Sequence, residues 1–176
     1  MEMLRIGGKT VSREKIVHAV DLILSLREQG YSQQEAANRL GVDRTFVSRL
    51  EKIGELRKGN SIAVVGFPIE NKAELENMMR QEGVDFWLLL TDAERWEFLK
   101  EQSGHKLFNK TMDIIAKVRK YDVVLFIGSN YRIKLSEALL DKEIVGLEIG
   151  RSPIKGDVYV EPKRVLSIIR QIMLKD

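Results

Sequence analysis

Residues 31–51 read YSQQEAANRLGVDRTFVSRLE, and this stretch decides how the N-terminal part of the chain folds. Ser32 is a good helix N-cap, and Glu35 three residues later completes a capping box, each side chain meeting the other's backbone N–H. The helix opened there buries Ala36, Ala37 and Leu40. It stops at Gly41, because glycine takes the left-handed conformation that ends many helices without steric cost. After Val42, Asp43 is placed to cap a second helix with Phe46, Val47 and Leu50 on its inner face. Two short helices joined by a three- or four-residue turn containing Gly form a helix-turn-helix. Arg44, Thr45, Ser48, Arg49 and Lys52 share the outer side of the second helix, so all five address one surface.

Working outward, Ser12 caps a long helix to about Gln29, with Ile16, Val20, Ile23 and Leu24 as its buried stripe and Gly30 as its stop. His18 lies off that stripe and reads as a surface residue. Before it, Leu4 and Ile6, then Gly7-Gly8, then Thr10 and Val11 spell either a small β-hairpin within residues 3–11 or an unstructured tail. On the other side the second helix continues through Ile53 to about Arg57, until Gly59-Asn60 breaks it. The expectation is an all-α, three-helix unit over residues 1–59.

Residues 31–54 resemble the Xre/Cro-type helix-turn-helix family of bacterial and phage repressors. That family reads roughly Ser/Thr-Gln at the first helix start, Ala in its middle, Leu-Gly-Val at the turn, then a polar pair, an aliphatic, Ser-Arg and Glu. Here those places hold Ser32-Gln33, Ala37, Leu40-Gly41-Val42, Arg44-Thr45, Val47, Ser48-Arg49 and Glu51, without a gap. The resemblance implies a transcriptional regulator in which Arg44, Thr45, Ser48 and Arg49 reach base edges of double-stranded DNA. By the same resemblance Gln33 touches the phosphate backbone, while Lys52, on the same helix side, is expected mainly to position that backbone. The chain departs from the family in lacking one or two further helices, which puts dimerisation through this unit in doubt.

Charge follows the same division. The chain of 176 residues carries a net +3, and residues 1–59 hold 11 Lys and Arg against 8 Asp and Glu, while residues 60–176 hold 18 of each. The excess sits with the helix-turn-helix, as phosphate binding requires. A hydrophobic content of 44% fits a folded protein. No run of eighteen apolar residues suits a membrane, and MEMLRIGGKT lacks the apolar core of a secretion signal. Cysteine is absent, which excludes disulfides and thiolate metal sites and suggests a cytoplasmic protein; the two His are far apart, so no metal or other cofactor is expected.

From Ser61 the grammar changes. Apolar runs at Ile62–Val65, Phe86–Leu90, Val123–Ile127, Ile144–Ile149 and, shorter, Asp157–Val160 alternate with amphipathic helices. Asn71 with Glu74 and Thr91 with Glu94 look like capping boxes, and Pro162 opens a terminal helix. Such alternation indicates βαβ units. Residues 60–176 are therefore expected to form a five-stranded, mainly parallel, doubly wound sheet of the flavodoxin or Rossmann-like kind.

Ligands of open parallel sheets bind beyond the carboxyl ends of the strands. Those ends offer Thr91, then Ser129, Asn130 and Arg132, then Arg151 as candidates for a small anionic ligand. The turn Gly128-Ser-Asn-Tyr-Arg132 either holds an anion with backbone N–H groups, hydroxyl and guanidinium, or simply caps the next helix. A dinucleotide fingerprint fails, because Gly66-Phe67-Pro68 supplies one glycine and a proline without an N–H. No Gly-Lys-Ser/Thr phosphate loop, receiver-type aspartate or nucleophile–base pair can be named, so catalysis is not expected.

The expected function is a sequence-specific DNA-binding transcriptional regulator with a ligand-sensing or dimerising α/β domain. A DNA-tethered α/β enzyme or nucleotide-binding protein, or a phage or partition accessory protein, is the alternative. A palindromic operator read by a homodimer would give one small unit enough contact. The terminal helix offers Val165, Ile168, Ile169, Ile172 and Met173 as a dimer face, unless that stripe packs on its own sheet.

Overall fold

The computed structural model describes residues 3–55, 58–100 and 104–173. The chain forms two compact units, Met1–Glu55 and Leu56–Asp176.

The first unit begins with β-structure, so the expectation of an all-α unit is corrected. Strands β1 (Met3–Ile6) and β2 (Lys9–Ser12) pair antiparallel, Leu4 opposite Val11 and Ile6 opposite Lys9. Alternating side chains and the Gly7-Gly8 turn, with Gly7 at φ 59°, explain the hairpin. Three helices follow: α1 (Arg13–Glu28), α2 (Gln33–Leu40) and α3 (Arg44–Gly54). Their core is small. Ile23, Ala37 and Val47 are fully enclosed, with Leu40, Val42 and Leu50 packed around them. Ile16, Leu24 and Phe46, expected inside, remain 49%, 46% and 47% exposed. Short helices crossing through alanines enclose only the residues at the crossing, and a unit this small cannot cover the rest.

The second unit is a parallel sheet with helices on both faces. Its elements run β3 (Ile62–Gly66), α4 (Lys72–Glu82), β4 (Phe86–Leu89), α5 (Asp92–Lys100), α6 (Gly104–Val118), β5 (Val123–Ser129), α7 (Asn130–Leu139), β6 (Glu143–Gly150) and α8 (Pro162–Ile172). The strand order is β4-β3-β5-β6, all parallel, with Val64 beside Trp87 and Leu125, and Phe126 beside Gly146. Side chains alternate between faces. Ile62, Val64, Leu125 and Ile127 meet α4 and α8 through Leu75, Met79, Val165 and Ile169. Ala63, Val65, Val124 and Phe126 meet Ile114, Ile115 and Val118 of α6 and Ile133 of α7. Gly146 lets α7 lie close, since a Cβ there would stand 2.5 Å from the Ile133 side chain.

The sheet has four strands, not five. Residues 157–160 do not extend it: Val158 makes a single parallel bridge to Ile69 in the turn after β3. Val158 N–H donates to the Pro68 carbonyl at 3.3 Å, and Glu70 N–H donates to the Val158 carbonyl at 3.0 Å. Beyond that, the Asn71 amide takes the place of a neighbouring strand. Its Nδ2 donates to the Val160 carbonyl at 2.9 Å, and its Oδ1 accepts from Val160 N–H at 3.0 Å. Asn71 is thus engaged 89 residues away instead of capping α4, where its side chain makes no cap bond. The expected Asn71–Glu74 capping box is replaced by this clasp.

Helix α8 settles where its apolar stripe goes. Val165, Ile169, Ile172 and Met173 are all buried in the unit's own core, with Ile168 partly buried against it. The stripe is therefore not a free dimer face. Among the described residues no helix is long and apolar enough to cross a membrane.

Candidate functional sites

The outer face of α3 is held in place by one carboxylate. Arg27 of α1 donates through Nε to Glu51 Oε1 at 2.5 Å, and Gln33 of α2 donates through Nε2 to Glu51 Oε2 at 2.6 Å. Glu51 therefore ties all three helices together, and its carboxyl is held below the usual glutamate range, chiefly by the Arg27 hydrogen bond and then by Gln33. Arg27 Nη1 also donates to the Tyr31 carbonyl, and Arg39 lies 4.0 Å from the Tyr31 ring centroid. The capping box is present, with Glu35 N–H donating to Ser32 Oγ at 3.2 Å and Ser32 N–H to Glu35 Oε2 at 2.7 Å. Gly41 takes φ 64° at the end of α2. Asp43 precedes α3 with extended backbone but makes no side-chain cap bond.

On this frame Arg44, Thr45, Arg49 and Lys52 are exposed and Ser48 is half-buried. None of these five side chains has a hydrogen-bond or ion-pair partner among the described residues. Three cations and two hydroxyls thus stand along one helix side with their donors uncommitted. Gln33, expected beside them, is half-buried, with one Nε2 N–H turned to Glu51 and the other left over.

The second site is a cleft of about 560 Å³ in the α/β unit. It starts at the carboxyl ends of β3 and β5, which are the adjacent strands where the chain's progress across the sheet reverses. Phe67, Pro68 and Ser129 lie there, and side chains of α5, α6 and α7 close the outer wall. Among the described residues the lining is apolar apart from Arg95, Trp96, Thr111, Ser129, Arg132, Ser136 and Ser152, and it includes no Asp, Glu, Lys or His. Ser129 is 4% exposed, and its Oγ accepts from Arg132 N–H at 3.4 Å as the N-cap of α7. Arg95 is paired with Asp92 at 2.5 Å, whereas the Arg132 guanidinium has no partner among the described residues.

Of the strand-end candidates, Ser129 and Arg132 come together in the cleft, and Thr91, Asn130 and Arg151 do not line it. Thr91 forms the expected capping box of α5, donating its N–H to Glu94 Oε2 at 2.9 Å and accepting from Glu94 N–H at 3.2 Å. Glu94 also takes Lys72 Nζ at 2.7 Å, and this contact is the main reason its carboxyl titrates lower than usual. Asn130 Oδ1 accepts from Ser152 N–H at 3.1 Å, securing the segment after β6. Arg151 is exposed. Sequence reasoning missed Arg95, Trp96 and Ser136, which reach the cleft through helix packing. No spacing in the sequence signals them in advance.

The chain is similar to a protein of Pyrococcus furiosus named "putative transcriptional regulatory protein", with 28% identity over 134 residues, covering 69% of this chain and 90% of that one. No family model matches the chain. No solved structure matches it either.

Proposed function

We propose that this protein is a sequence-specific DNA-binding transcriptional regulator whose α/β unit senses a small ligand. The observation that carries the reading is the outer face of α3. Arg44, Thr45, Ser48, Arg49 and Lys52 project from one side of a helix that Glu51 anchors to its neighbours, and none of the five is spent on the fold. Gly41 in the left-handed conformation between α2 and α3 supports a helix-turn-helix reading, in which the second helix enters the major groove. The Pyrococcus furiosus relative's name agrees with a regulatory role.

In this reading Arg44 and Arg49 read guanine edges through paired hydrogen bonds, Thr45 and Ser48 contact neighbouring bases, and Lys52 meets phosphate. The left-over N–H of Gln33 reaches the backbone, while its other N–H keeps the helices in register. Two copies on a palindrome, one helical turn apart, give enough contact for specific binding. Because the α8 stripe is buried, the two copies meet elsewhere. Among the described residues the lining of the cleft holds no Asp, Glu, Lys or His, which supports a binding part over a DNA-tethered enzyme.

The test is duplex binding by the full chain, on sites recovered by genomic footprinting and on random DNA. Arg49→Ala and Arg44→Ala each lose about 1–3 kcal/mol on the recovered site and little on random duplex. Lys52→Ala weakens both alike and flattens the salt dependence. Equal losses on the two DNAs for both arginine variants overturn the base-reading assignment.

A further inference from the structure

We propose that the cleft beyond β3 and β5 binds a small organic carboxylate with an aromatic or branched apolar body, its carboxylate seated on Arg132. The inference rests on the α/β unit being the sensing part, and it names what is sensed.

Size and lining set the class first. About 560 Å³ is within the range of small-molecule sites, and the walls are dominated by side chains such as Phe67, Trp96, Ile115 and Leu135. A sugar would leave most of its hydroxyls without partners against such walls. The charge of the body's polar end follows from what the lining contains. Among the described residues it has two arginines and no carboxylate. An ammonium would lose its hydration and find no counter-charge, so cations are rejected. Arg95 is already neutralised by Asp92 at 2.5 Å, which leaves Arg132 as the lining guanidinium without a partner among the described residues. A phosphate dianion needs several converging donors, yet Pro68 and Pro153 in the wall have no N–H to give. One free fork of parallel N–H groups matches one carboxylate.

The hydroxyls complete the seat. Ser129 Oγ accepts from Arg132 N–H, so its own O–H remains a donor, and Ser152, whose backbone N–H goes to Asn130, offers another hydroxyl at the same end. The apolar body then lies between the sheet face at Val65 and Phe126 and the helix α6 residues Ile114 and Ile115.

Calorimetric titration of the full chain with three compounds of one body tests this: indoleacetate, indoleacetamide and tryptamine. Charge-assisted hydrogen bonds make indoleacetate bind on the order of ten-fold tighter than the amide, with tryptamine weaker still. Arg132→Gln brings the acid down to the amide, Arg132→Lys restores part of the preference, and Arg151→Gln changes nothing. Equal binding of acid and amide, an acid affinity unmoved by Arg132→Gln, or no binding of any of the three overturns the proposal. Should Arg132→Gln fail to fold by circular dichroism, Arg132→Lys and the acid–amide comparison on the unaltered chain decide it. No DNA enters the titration. Acid binding without any duplex binding leaves the ligand class standing and removes the regulator, and the converse result does the opposite.

Discussion

The two units are held together in different ways. Among its described residues the N-terminal unit encloses four apolar side chains, Ile23, Ala36, Ala37 and Val47, and relies on the Glu51 carboxylate to join α1, α2 and α3. The α/β unit buries sixteen residues on one face of its sheet alone. Burial of apolar surface has no charge to screen or titrate, whereas a partly exposed ion pair is weakened by salt and by acid. The part with free cations on its surface is thus also the part whose own cohesion is electrostatic. Raised ionic strength or acid should therefore loosen the fold of this unit before that of the α/β unit.

This contrast can be broken by substitution, and the two tryptophans make the readout simple. Trp87 and Trp96 both lie in the α/β unit, so their emission reports that unit, while amide protection in α2 and α3 reports the other. Ile169→Ala removes a fully buried side chain and should cost the α/β unit about 2–5 kcal/mol in urea unfolding. Protection of α2 and α3 should not change; a matching loss there would show the units to be energetically coupled. Asn71→Ala cuts both bonds of the clasp to Val160 and should lower the same tryptophan transition by about 1–2 kcal/mol. Glu51→Gln should act the other way round, with protection in α2 and α3 falling by about 1 kcal/mol and tryptophan emission untouched.

The smallest effect is the response to acid. Glu51 titrates lower in the folded state than in the unfolded one, so its stabilisation is complete above the ordinary glutamate range. It is lost as pH falls through the lower folded value. Glu35, held down by Ser32, has the same sign, and so has Glu94, held down by Lys72, in the other unit. Acid titration of amide protection should therefore be shallower for Glu51→Gln than for the unaltered chain in the N-terminal unit. The tryptophan signal should keep the same acid profile in both proteins. An unchanged slope in the N-terminal unit would assign its acid response to Glu35 and the other carboxylates.

What could be read in advance was local. Ser32 with Glu35, Thr91 with Glu94, Gly41 and Pro162 act within a turn of themselves, and each stands where spacing put it. The continuous apolar runs became strands because burial on both faces needs no partner to be specified. The failures came from competition at a distance. Asn71 has the right neighbour in Glu74 for a cap, yet it binds the Val160 peptide, a choice that depends on residues far along the chain. The same clasp replaced the fifth strand. Gln33 was assigned to an outside partner, and Glu51 claims one of its N–H groups. The cleft was half visible: Ser129 and Arg132 are at a strand end, but Arg95, Trp96 and Ser136 join them only through how helices lie on the sheet. Alternating residues around Gly7-Gly8 allow either a hairpin or a tail, and the structure has the hairpin.

The Asn71 clasp also has a consequence in time. It joins residues 89 positions apart, and the Arg170–Glu82 pair between α8 and α4 spans 88, whereas the Glu51 contacts of the N-terminal unit span 24 and 18. Closing a long loop precedes the reward of the contacts it brings, so chains rich in distant pairings fold slowly. The N-terminal unit should then mature first, on the ribosome as in refolding from urea, with protection of α2 and α3 preceding the burial of Trp87. Until α8 docks, the apolar face of the sheet that Val165 and Ile169 later cover stands open, and that interval is when the chain is most exposed to aggregation.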